Sequence, residues 1–170
     1  AAARNSAGEP MVPEVCIFFE SQLMRGNRTT KINAEGFNAF RSFNYPPLAV
    51  AGVHIRYNNL LIRRPDSSRP FRSHFSLGTG IFILTIFPGI QKEYVDVVIQ
   101  MKNLRALIIK TYGSGNAPQK PWLLDKLREL DRRGVILVNI TQCSQGTVEM
   151  HRYATGLQLL QAGAVNGYDG

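Results

Sequence analysis

The sequence predicts an α/β protein whose second part is a parallel sheet covered by helices. Two observations carry this. From residue 81 onwards, short continuous apolar runs alternate with amphipathic segments of helical period, as expected for strands buried on both faces by crossover helices. Ahead of them, residues 63–80 are rich in Pro, Ser and Arg and show no apolar period, so they read as a linker that divides the chain.

Residues 1–10 have no periodicity and read as a tail. Val15-Cys16-Ile17-Phe18-Phe19, opened by Pro13, reads as a buried strand reaching about Glu20. Gly26-Asn27 is a tight-turn pair, and Thr29-Thr30 returns to extended chain, so Lys31 is expected just past a hairpin turn. Phe37, Phe40 and Phe43 fall at three-residue spacing and predict a helical turn packing aromatics inward. Asn44-Tyr45-Pro46-Pro47 ends it, because proline cannot continue a helix. Residues 52–57 alternate as a strand, and Asn58-Asn59 turns the chain back into Leu60-Leu61-Ile62. His54 is then a surface strand residue.

After the linker, residues 81–87 form a near-continuous apolar strand. Residues 92–101, with Tyr94, Val95, Val98 and Ile99, predict a helix, and residues 106–109 the next strand. Pro121 suits a first helical position, where its missing N–H costs nothing. Leu123, Leu124, Leu127 and Leu130 share one face of that helix, and Gly134 follows as its cap. Residues 135–138 are a third strand. Residues 153–161 are a last helix, stopped by Gly163. No repeat of solenoid length is present.

Composition narrows the function classes. The 170 residues are 44% hydrophobic, enough for one ordinary core or for one small domain and a piece of another. The longest apolar run, residues 81–90, contains Pro88 and Gly89 and is too short to span a bilayer, and the first five residues lack the apolar core of a secretory signal. The net charge of +8 raises nucleic acid as a partner. The charge is dispersed, however: residues 1–80 hold ten Lys and Arg against five acids, and residues 81–170 hold ten against seven. Only Arg56, Arg63, Arg64, Arg69 and Arg72 cluster, without interleaved aromatics to stack bases. No nucleic acid and no membrane are expected. Cys16 and Cys143 sit at apolar, strand-like positions and read as buried reduced thiols, which fits a reducing compartment. Neither has a Cys or His at metal-ligand spacing, so no metal is expected.

Ligands of parallel α/β sheets bind at the carboxyl ends of the strands. Two loops fall there. In Thr111-Tyr112-Gly113-Ser114-Gly115-Asn116, the glycines allow close backbone approach and Asn116 offers a donor and an acceptor. A plain strand-to-helix turn is the alternative. A dinucleotide loop fails, because the third glycine and the following acid are missing. The second loop is Thr141-Gln142-Cys143-Ser144, for which a helix-capping turn is the alternative. Cys143 and His151 do not make a thiol hydrolase on spacing alone. Gly78-Thr79-Gly80-Ile81 precedes a strand and is no nucleophile motif.

Three blocks, in this order and spacing, resemble the cytoplasmic (type I) L-asparaginases of the asparaginase/glutaminase superfamily. They are Arg25-Gly26-Asn27-Arg28-Thr29-Thr30-Lys31 within residues 13–40; Lys110-Thr111-Tyr112-Gly113-Ser114-Gly115-Asn116-Ala117-Pro118; and Val138-Asn139-Ile140-Thr141-Gln142-Cys143 with Tyr153-Ala154-Thr155-Gly156 and Ala162-Gly163. The resemblance runs from about Met11 and leaves residues 1–10 uncovered. It implies that residues 11–62 end a large N-terminal α/β domain, that residues 63–80 link, and that residues 81–170 are an incomplete small C-terminal domain. It implies hydrolysis of L-asparagine to L-aspartate and ammonia through a threonine acyl-enzyme, with no cofactor, in a cytoplasmic homodimer or homotetramer. Lys31 aligns with the lysine of a Thr-Lys-Asp triad, and Asn116 with a residue that reaches a neighbouring subunit's site. Thr30, Lys110 and Cys143 match positions of an effector site, where Lys110 replaces an arginine and loses its bidentate fork. The nucleophile segments Thr-Gly-Gly-Thr-Ile and Gly-Thr-Asp-Thr are absent. The chain is therefore expected to be an asparaginase fragment that is inactive alone, or else a non-catalytic α/β binding module.

Overall fold

A computed structural model describes residues 4–66, 68–70 and 72–167. The chain divides into two compact units, Ala1–Ser73 and His74–Gly170.

The first unit is built of short antiparallel strands. β1 (Cys16–Phe19), β2 (Gln22–Arg25), β5 (Ala49–Ala51) and β6 (Ile55–Tyr57) form one sheet in the order β1-β2-β5-β6. β3 (Thr30–Lys31) and β4 (Phe40–Arg41) form a separate ribbon. The β1–β2 hairpin turns at Glu20 and Ser21, which adopt φ of 44° and 63°. Two successive left-handed residues match the twist of a two-residue hairpin. The expected turn at Gly26-Asn27 is instead a single 3-10 turn, Gly26–Arg28, which carries the chain from β2 into β3. The expected helical turn at Phe37, Phe40 and Phe43 is also absent. Asn33 Oδ1 accepts the backbone N–H of Glu35 and Gly36, each at 2.9 Å, which offers the backbone an alternative to helix. Phe40 lies in β4 and meets Phe19 edge-on at 5.3 Å, while Phe37 is almost fully exposed. Gly52, Val53 and His54 form the tip of the β5–β6 hairpin rather than a strand. Leu60-Leu61-Ile62 does not return as a strand either, though Ile62 is buried.

The second unit is a parallel sheet. β7 (Ile81–Thr85), β8 (Ala106–Thr111), β9 (Ile136–Thr141) and β10 (Ala164–Asn166) lie side by side in chain order. They are joined by α1 (Lys92–Ile99), α2 (Pro121–Arg132) and α3 (Ala154–Gln161). Strands laid down in sequential order, with crossovers of one hand, put every helix on the same side. Burial follows that geometry. Leu84, Leu107, Ile109 and Leu137 point into one core with Val95, Val98, Leu123, Leu127, Leu130 and Leu159 of the helices. On the opposite parity Ile81, Ile83 and Ile136 are 53%, 56% and 62% exposed. The expected cover on both faces is thus corrected: among the described residues, helices cover one face. Neither cysteine is buried as expected. Cys16 is half-buried in β1, and Cys143 lies exposed beyond the end of β9.

Candidate functional site

In the first unit, the segment that carries Thr30 and Lys31 is anchored by an ion pair. Arg25 ends β2 with its side chain 8% exposed, and Glu14 faces it at the same exposure. Arg25 Nε donates to Glu14 Oε2 at 2.5 Å, and Nη2 donates to Oε1 at 2.9 Å and to the Leu61 carbonyl at 2.8 Å. Glu14 Oε1 also accepts the Arg63 backbone N–H at 2.8 Å. Beneath the guanidinium lies the Tyr45 ring, 4.5 Å away. The hydrogen bonds from Arg25 hold the Glu14 carboxyl below its usual range, against the effect of burial, and Glu14 in turn raises Arg25. A planar fork meeting a carboxylate with two parallel bonds gives geometric definition as well as energy. From Arg25 the chain passes through the 3-10 turn, where Thr29 Oγ1 donates back to the Arg25 carbonyl at 2.7 Å. Thr30 and Lys31 follow on β3, opposite Arg41 and Phe40, and both are exposed. Lys31 has no carboxylate partner within 4.0 Å among the described residues.

In the second unit, the carboxyl ends of β8 and β9 hold a buried polar knot. Thr111 and Asn139 are fully buried. Thr111 Oγ1 lies 2.6 Å from Asn139 Oδ1 and 3.2 Å from the Ile140 carbonyl. Asn139 Nδ2 donates to the Gly115 carbonyl at 3.2 Å, and Thr141 Oγ1 donates to the Gly113 carbonyl at 2.5 Å. Gly115 has a φ of 112°, and a Cβ there would meet Val148 Cγ1 at 2.6 Å, so only glycine fits. The same loop closes on itself through the Tyr112 and Asn116 backbones, at 2.8 Å in both directions. Gln142 Nε2 bonds the carbonyls of Ile86 and Lys110, tying the ends of β7 and β8 to the segment after β9. The Cys143 backbone N–H donates to Thr141 Oγ1 at 3.0 Å. Because α3 begins only at Ala154, residues 141–144 do not cap a helix.

Five candidate residues therefore fall on two units. Thr30 and Lys31 are neighbours on β3 of the first. Asn116, Lys110 and Cys143 lie at the carboxyl end of the parallel sheet of the second. The sequence reading passed over Arg25 and Glu14, and over Thr111, Asn139 and Gln142 as supports. Arg25 stands inside the quoted motif. A buried Thr–Asn pair separated by 28 residues leaves no local signal.

An antiparallel unit followed by a parallel α/β unit with a glycine-built loop at its carboxyl edge defines an α/β protein with the layout of a ligand-binding scaffold. The family model described as Asparaginase, N-terminal matches residues 1–63, and that described as Glutaminase/Asparaginase C-terminal domain matches residues 80–170. The chain belongs to the asparaginase/glutaminase family. The first match takes in residues 1–10, which lie ahead of the three motif blocks. L-asparaginase 1 of Escherichia coli (strain K12) is 44% identical over 158 residues, covering 93% of this chain and 46% of that protein. The 60 kDa lysophospholipase of Homo sapiens is 42% identical over 163 residues, covering 96% of this chain and 28% of that protein. The solved L-asparaginase I from Vibrio cholerae matches with a TM-score of 0.82 at 42% identity, over 93% of this chain and 47% of that one. The chain thus spans less than half the length of each of these relatives.

Proposed function

We propose that this chain is part of an L-asparaginase, an amidohydrolase that converts L-asparagine to L-aspartate and ammonia. The observation that supports it is the presence, in one chain and in order, of the Arg25-to-Lys31 motif and the Gly113-to-Asn116 loop, within segments matched to the family's N- and C-terminal domains. In this reading a threonine hydroxyl attacks the side-chain amide carbon, its proton passing to a neighbouring base. Ammonia leaves, carrying a returned proton, and water then cleaves the acyl-enzyme to release aspartate. Lys31, paired with an aspartate, is the base of the Thr-Lys-Asp triad. Asn116 contacts substrate across a subunit boundary of a homodimer or homotetramer. Thr30, Lys110 and Cys143 contribute to an effector site, weakened by lysine in place of arginine at 110. No cofactor takes part, and the compartment is the cytoplasm.

The 170 residues contain neither Thr-Gly-Gly-Thr-Ile nor Gly-Thr-Asp-Thr. The chain by itself is therefore proposed to release no ammonia from asparagine. The test has two parts. Sequencing the parent transcript upstream of residue 1 should reveal both segments in frame. In the protein so encoded, Lys31→Met and Lys31→Arg should each lose about 10²–10⁴-fold in turnover, with a smaller effect on substrate affinity. Turnover like that of the unmodified protein in both variants would reduce Lys31 to a surface lysine and remove the catalytic assignment. Absence of both upstream segments would favour the non-catalytic α/β module. The two mammalian relatives named as lysophospholipases justify a lysophospholipid arm in the assay. No Gly-x-Ser-x-Gly elbow occurs in the chain to serve that reaction.

A further inference from the structure

We infer that Thr155 is a positioning residue for Asn116. Its hydroxyl holds the Asn116 side-chain oxygen, so that the Asn116 amide N–H groups are presented to an acceptor such as a carboxylate or carbonyl oxygen. This rests on the reading of Asn116 as a substrate-contacting residue.

Thr155 occupies the second position of α3, and its Oγ1 donates to Asn116 Oδ1 at 2.5 Å across 39 residues of sequence. A carboxamide has two chemically opposite ends: one accepts and the other donates. With the oxygen engaged by Thr155, the amide is oriented and its NH2 end is left to donate elsewhere. Asn116 is half-buried, so that end is reachable. The α3 N-terminus is itself seated against the loop. Gly156 packs on the Met150 backbone so closely that a Cβ would lie 2.7 Å from the Met150 carbonyl. One residue earlier, the Glu149 N–H donates to the Ser114 carbonyl at 2.8 Å. The circuit from Gly156 through residues 149–150 to Ser114 and Asn116 closes through Thr155. A threonine helps here because its β-branch restricts χ1, so the hydroxyl is delivered at low entropic cost. The Tyr153-Ala154-Thr155-Gly156 motif is thereby explained by two of its residues. Thr155 supplies the hydroxyl, and Gly156 supplies the close approach.

The test is side-chain amide NMR on the 15N,13C-labelled 170-residue chain, with Asn116 assigned by the resonance lost in Asn116→Ala. In the unmodified chain the Asn116 Cγ resonance should lie downfield of the exposed Asn59 and Asn103, as for a hydrogen-bonded carbonyl. In Thr155→Val, which keeps the shape and removes the hydroxyl, the Asn116 N–H pair should move to free-asparagine positions while backbone amides of α3 stay in place. In Thr155→Ser they should remain as in the unmodified chain. An unshifted Asn116 Cγ in the unmodified chain, or Thr155→Ser behaving like Thr155→Val, would overturn the inference. Ammonia release by the protein that carries the upstream segments reads the hydrolase assignment separately. If it is lost as a reading while the NMR response holds, the positioning role stands on its own.

Discussion

Replacing Asn139 by leucine should loosen the Gly113-to-Asn116 loop before it destabilises the sheet. Asn139 is fully buried near the end of β9, and its side chain hydrogen-bonds Thr111 Oγ1 at 2.6 Å and the Gly115 carbonyl at 3.2 Å. Leucine is of similar size and fills the space without a cavity. The Thr111 hydroxyl retains the Ile140 carbonyl at 3.2 Å. Among the described residues the Gly115 carbonyl has no such alternative and is left facing an apolar side chain. Orphaning a buried acceptor costs about 1–3 kcal/mol, which corresponds to about 5–150-fold in a local opening equilibrium. The assay is native-state amide exchange. The informative amides are Tyr112 and Asn116, which bond each other's carbonyls, and Glu149, which bonds the Ser114 carbonyl. They should exchange about 5–150-fold faster in Asn139→Leu, while β8–β9 ladder amides such as Ile109 change less. Loop amides that exchange as in the unmodified chain would refute the role given to Asn139. Equal acceleration at every site would also refute it, since it would place the cost in the whole core.

Two further outcomes follow from the same geometry. Glu14 is held below the usual carboxylate range by Arg25, so the pair's stabilisation is complete above the unfolded carboxyl's value of about 4.3. It is lost as pH falls through the lower folded value. Melting of the first unit should therefore weaken progressively in acid, and Glu14→Gln should flatten that dependence while costing about 1.5–3 kcal/mol at neutral pH. A wild-type acid profile in the variant would contradict the assignment. Across the chain, residues 81–165 should be protected from exchange far more than residues 11–62. Among its described residues the first unit buries Met24, Ala39, Leu48, Ala49 and Ile62 as apolar side chains, whereas the second buries a contiguous core between three helices and four strands. Uniform slow exchange would contradict this.

The second unit was legible where local pattern and end signals agreed. Leucines at helical spacing between Pro121 and Gly134 specify α2, and the observed helix runs Pro121–Arg132. Strand ends were read short for a physical reason. β8 and β9 continue through Lys110-Thr111 and Asn139-Ile140-Thr141, and the polar residues among these look like strand termini although Thr111 and Asn139 are buried. They can be buried because each satisfies the other. The first unit was less legible. Glu20-Ser21 carries no turn signature yet takes the left-handed conformation, while Gly26-Asn27, which carries one, does not. There the closing of β1 on β2 and the anchoring of Arg25 by Glu14 outweigh local preference.

The sidedness of the parallel sheet was invisible for a different reason. Apolar residues occupy both parities of β7 and β9: Ile81, Ile83 and Ile136 on one, Leu84 and Leu137 on the other. A run of that kind is the same whether helices cover one face or two. What decides is strand order, which no local pattern encodes. An order that reverses partway sends crossovers to both sides, whereas the observed β7-β8-β9-β10 order never reverses. One consequence bears on the candidate loop. Its supports, Thr111 and Asn139, have the same parity as the core residues Leu107, Ile109 and Leu137, so the knot that holds Gly115 stands on the helix-covered face. Lys110 has the opposite parity and belongs to the open face with Ile108. Lys110 and the support Thr111 are thus separated by the pleat of a single strand. A substitution at Lys110 therefore leaves the Thr111–Asn139 support in place.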